Sequence, residues 1–71
     1  MAEYNVIVKK SPNIRIEYIM DGRPVNLQDI TNVKAMYLCE QIGKANMEIV
    51  ENHGLEKLTA TFEVKDKKIK T

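Results

Sequence analysis

The chain has 71 residues, 44% of them hydrophobic and 30% charged, with a formal net charge of +1 and a single cysteine. A chain of this size makes one domain that buries only ~60% of its unfolded surface. The near-neutral charge gives no pull toward DNA, and one cysteine cannot form an internal bridge. There is no apolar signal-like segment at residues 1–10 and no apolar run of membrane-spanning length, so the expected setting is a reducing cytoplasm without a membrane partner.

Residues 4–9 are β-branched and alternating, with Tyr4, Val6 and Val8 on one face, while Ile7 makes the middle of this strand apolar on both sides. Lys10, Ser11, Pro12 and Asn13 have the composition of a turn. A second strand follows over residues 14–20, where Ile14, Ile16, Tyr18 and Met20 alternate with Arg15, Glu17 and Ile19. The pair predicts an antiparallel hairpin. Asp21-Gly22 then supplies the positive φ angles of a two-residue primed turn, and Arg23-Pro24-Val25 can run back as a short edge strand, because Pro24 lacks an N–H.

Residues 26–54 read as one long amphipathic helix, with Asn26 as N-cap, Asp29 in the first turn, His53 in the last and Gly54 as the left-handed stop. At ~100° per residue, Leu27, Ala35, Leu38, Cys39, Ile42, Ala45 and Ile49 share one side. Lys34, Gln41, Lys44, Glu48, Glu51 and Asn52 lie opposite. Through this polar side runs a second apolar row, Ile30, Val33 and Tyr37, at spacings of three and four. After the helix, Leu58, Ala60, Phe62 and Val64 alternate with Thr59, Thr61, Glu63 and Lys65 in a last strand.

These elements predict an α+β fold: a small antiparallel sheet of three strands, with a short fourth allowed at Arg23–Val25, and one long helix packed on one face, in the order β-β-α-β. The first strand takes the centre and the last lies antiparallel to it. Residues 1–71 form a single domain, of which residues 66–71 are expected to be a frayed basic tail. A helix of some 26 residues is ~39 Å long, whereas strands of seven reach ~24 Å. The helix should therefore overhang its sheet or break near Gly43; Ile30, Val33 and Tyr37 are expected to pair with a second copy, the alternative being that the Tyr4 or Pro24-Val25 segment folds over them within one chain.

Nothing in the chain points to catalysis, a metal or a cofactor. His53 has no second histidine or cysteine near it, Cys39 lies on the apolar side of the helix, and Ser11 belongs to a turn. Gly43-Lys44 lacks the earlier glycine of a phosphate loop. No signature of ribbon-helix-helix, helix-turn-helix, cold-shock or RNA-recognition proteins is present at the required spacing. The expected function is a non-catalytic protein-interaction module, a homodimer through Ile30, Val33 and Tyr37. It would regulate or inhibit a partner protein, as accessory proteins of phages and other mobile elements do, with Ile7, Arg15, Glu17 and Ile19 on its open sheet face. The alternative is a nucleic-acid-associated regulator using Lys9 and Lys10 at one strand end and Lys65, Lys67, Lys68 and Lys70 after the last strand.

Overall fold

A computed structural model describes residues 2–64. Strands β1 (Ala2–Lys9), β2 (Arg15–Met20) and β3 (Arg23–Val25) are followed by a 3-10 turn (Leu27–Asp29), helix α1 (Val33–His53) and strand β4 (Lys57–Val64). The four strands form one antiparallel sheet in the order β3-β2-β1-β4, with α1 on one face. This is the expected α+β architecture, with the short fourth strand present. The segment expected as a basic tail, residues 66–71, lies outside the described residues.

The register follows from the alternation. Tyr4, Val6 and Val8 lie opposite Met20, Tyr18 and Ile16 on one side and Phe62, Ala60 and Leu58 on the other, so every core residue of β1 meets apolar neighbours across both ladders. Tyr4 and Phe62 stack with ring centroids 5.2 Å apart. Above them Ile30, Ala35 and Cys39 complete a buried cluster with Tyr4 and Val6, and Val8 and Val50 are also fully enclosed. Asp21 and Gly22 adopt φ of 51° and 82°, the left-handed pair that a two-residue hairpin requires. The Ser11–Pro12 bond in the preceding turn is cis.

The helix begins later than its periodicity suggests. Asn26 is extended but makes no cap bond to the backbone; its amide instead donates to the Asp29 carboxylate at 3.4 Å. After one 3-10 turn the chain straightens, Ile30 taking φ −81° and ψ 113°. The true N-cap is Asn32, whose side-chain oxygen accepts from the Ala35 N–H at 3.0 Å. Two asparagines six positions apart offer the same chemistry, and the second prevails because an extended Ile30 can turn into the core, where it is only 4% exposed.

Two expectations change in consequence. The helix has 21 residues, hence is ~32 Å long, against ~26 Å for the eight-residue strands, so the surplus shrinks to about one turn. Ile30 also leaves the proposed dimer row, because it is packed inside its own chain. At the other end the expected stop holds: Gly54 has φ 65°, and the Leu55 N–H reaches back to the Val50 carbonyl at 3.1 Å.

Gly43, the single glycine inside α1, sits where the helix comes closest to β2. A Cβ placed there would lie 3.2 Å from Ile16 Cδ1 and 3.3 Å from the Tyr18 hydroxyl. Its lack of a side chain sets the depth at which the helix seats, a role that helix propensity alone hides.

Candidate interaction surfaces

One face of the sheet carries no covering element among the described residues. Alternation places Glu3, Asn5, Ile7 and Lys9 of β1 there, beside Arg15, Glu17 and Ile19 of β2, Pro24 of β3, and Lys57, Thr59, Thr61 and Glu63 of β4. The expected partner face, Ile7, Arg15, Glu17 and Ile19, is thus brought together on adjacent strands. Ile7 lies opposite Glu17 and diagonal to Ile19, which lies opposite Pro24, so a narrow apolar strip crosses the face. Both isoleucines are half-buried by their neighbours.

Charges flank that strip. Glu17 receives Lys9 at 3.3 Å and Arg15 at 3.3 Å. The hydrogen bond from Arg15, then that from Lys9, holds the Glu17 carboxyl below its usual range. Thr61 donates to the Asn5 side chain at 2.8 Å. Where β3 ends opposite Tyr18, an open cleft lies beside Ile16, Ile19, Pro24, Val25 and Leu27.

On the helix, Val33 is 72% and Tyr37 58% exposed, facing away from the sheet. With Ile30 withdrawn they are two side chains one turn apart, far short of the ~800 Å2 per partner that a stable interface hides. Of the row read from the sequence, Val33 and Tyr37 stay exposed and Ile30 does not.

Two titratable side chains of the core are shifted by burial. Cys39 is fully buried, and burial pushes its thiol up, which opposes thiolate formation. Burial also raises the Tyr18 phenol. Among the described residues no three His, Cys, Asp or Glu side chains gather in a metal-binding group, and no helix is long and apolar enough to cross a membrane. Comparison with protein-family models, curated proteins and solved structures finds no match to this chain.

The register settles what each outer strand presents at its free edge. Antiparallel backbones turn their N–H and C=O groups alternately to one neighbour and the other. The Lys10 N–H donates to the Glu56 carbonyl at 2.9 Å, which turns the even-numbered residues of β4 toward β1. Lys57, Thr59, Thr61 and Glu63 therefore direct theirs outward, along a regular eight-residue edge without proline or bulge. The opposite edge differs. Arg23 and Val25 face β2, so the outward position of β3 belongs to Pro24, which has no N–H to offer.

The charges on this face are sorted by end. Lys57 lies opposite Lys9, which lies opposite Arg15; at the other end Glu63 lies opposite Glu3, whose carbonyl accepts from the Asp21 N–H at 2.8 Å. Like charges set directly across a ladder are destabilising. Glu17 offsets the first row in part, but Lys57 and Glu63 form no ion pair among the described residues. A sequence signal existed, since each charge stands at a strand end, but it acquires meaning only once the register is known.

Proposed function

We propose that this protein is a small non-catalytic interaction module that works as a homodimer and regulates or inhibits another protein by occupying its surface. The observation that carries this reading is the uncovered sheet face, with the Ile7, Ile19 and Pro24 strip beside the Lys9, Glu17 and Arg15 group. An apolar centre with a charged rim is the anatomy of a protein-binding patch.

Capture from a lysate by the immobilised protein tests this reading when paired with face variants. Specific proteins should be retained by the wild type, lost with Ile7→Asp and Ile19→Asp, and kept with Tyr37→Ala, all after nuclease treatment. Loss of every captured protein on nuclease treatment would favour the nucleic-acid alternative, and capture indifferent to the face variants would overturn the reading.

A further inference from the structure

We propose that the homodimer forms by antiparallel pairing of β4 with β4 of a second copy, across a two-fold axis at Ala60, joining two four-stranded sheets into one of eight strands. The inference rests on the self-association in the reading above, and not on the open face's capture of another protein. Three features converge on this edge.

The first is backbone chemistry. Lys57, Thr59, Thr61 and Glu63 present their N–H and C=O groups outward in unbroken register. With Ala60 at the axis, Lys57 meets Glu63 of the second copy and Thr59 meets Thr61. These four symmetric pairs supply roughly eight inter-strand hydrogen bonds.

Charge selects this register over its neighbours. A shift of the axis toward Thr61 leaves Glu63 opposite Thr59, and one toward Thr59 leaves Glu63 opposite Leu55. Centred on Ala60, each Lys57 gains a carboxylate and each Glu63 an ammonium. The basic row of one copy, Arg15, Lys9 and Lys57, then continues into the acidic row of the other, Glu63 and Glu3. The like-charge oppositions inside each copy are relieved by the same step.

The third feature is apolar continuity. On the helix-bearing side Leu58 would lie opposite Phe62 of the second copy, two residues that are half-buried in the single chain. Ala60 would meet its own image, small enough for the close non-hydrogen-bonded approach. Gly43 contacts β2, so at ~100° per residue Leu38, Ile42 and Ile49 lie on the flank of α1 turned away from β2. Ile49 is 41% exposed on that flank, which Val33 and Tyr37 do not share.

The test is a charge exchange read by analytical ultracentrifugation over a range of concentrations. The wild type should sediment as a dimer that weakens with salt. Lys57→Glu and Glu63→Lys should each be monomeric, with dissociation constants raised at least tenfold. An equimolar mixture of the two should recover a heterodimer, because every facing pair is then opposite in sign. Within a single chain these substitutions place Glu beside Lys9 and Lys beside Glu3, so loss of pairing will not come from loss of folding, and circular dichroism checks that. A monomeric wild type, single variants that dimerise as well as the wild type, or a mixture that stays monomeric would each overturn the proposal.

Discussion

Asn32 and Asn26 show how one residue type takes different roles within a few positions. Asn32 closes the first turn of α1 through the Ala35 N–H, whereas Asn26 bonds only to an exposed carboxylate. Replacing an N-cap by Ala typically costs about 1 kcal/mol, so Asn32→Ala should lose about that much in urea denaturation, while Asn26→Ala should change stability little. Glu17 makes a second prediction at this scale. Its carboxyl is held below the usual range by Arg15 and Lys9. The group therefore contributes stability above its unfolded value, ~4.3, and that contribution is lost as pH falls through the lower folded value. Glu17→Gln should accordingly show a shallower fall in stability below pH ~4 than the wild type does, measured by denaturation at stepped pH.

The helix and its seat on the sheet form the next level. The buried faces of β1, β2 and β4 were legible in the sequence because their apolar residues alternate with period two, and the C-terminal stop was legible because Gly54 follows His53 directly. The start of α1 was not, since periodicity continues smoothly through Leu27 and Ile30 although the backbone does not. Gly43 was legible only as a weak point; its purpose depends on Ile16 and Tyr18, far away in sequence. A large side chain there must lift the helix, and overpacking of this kind costs about 1–3 kcal/mol. Gly43→Leu should therefore be destabilised within that range. Gly43→Ala should stay within about 1 kcal/mol of the wild type, because the gain in helix propensity offsets a small displacement of Ile16. Paired chemical denaturation curves distinguish the two outcomes.

For the whole molecule, the α+β class, the central place of β1 and the covered face followed from pattern, the fourth strand was only allowed for, and the open face with Ile7, Arg15, Glu17 and Ile19 was already visible. Of the row expected to pair, Ile30 is buried in its own chain, while Val33 and Tyr37 remain exposed on the helix. The excess of apolar helix that pointed to these three came in part from an overlong helix, and it shrank once Ile30 turned inward. That β4 forms an edge followed from a central β1, but which of its amides face outward depends on the register. Lys57, Glu63 and their facing charges emerged only with the ladder.

Pro24 carries one more consequence. A sheet able to extend from both rims polymerises, and sequences rich in Val, Ile and Thr are prone to do so. Here the rim formed by β3 is three residues long and its sole outward position lacks a donor. Any assembly that uses β4 thus buries its receptive rim in the first joining step and exposes a blunted one at each extremity. Growth past two chains is then disfavoured, since each extremity offers a three-residue strand whose outward position cannot donate.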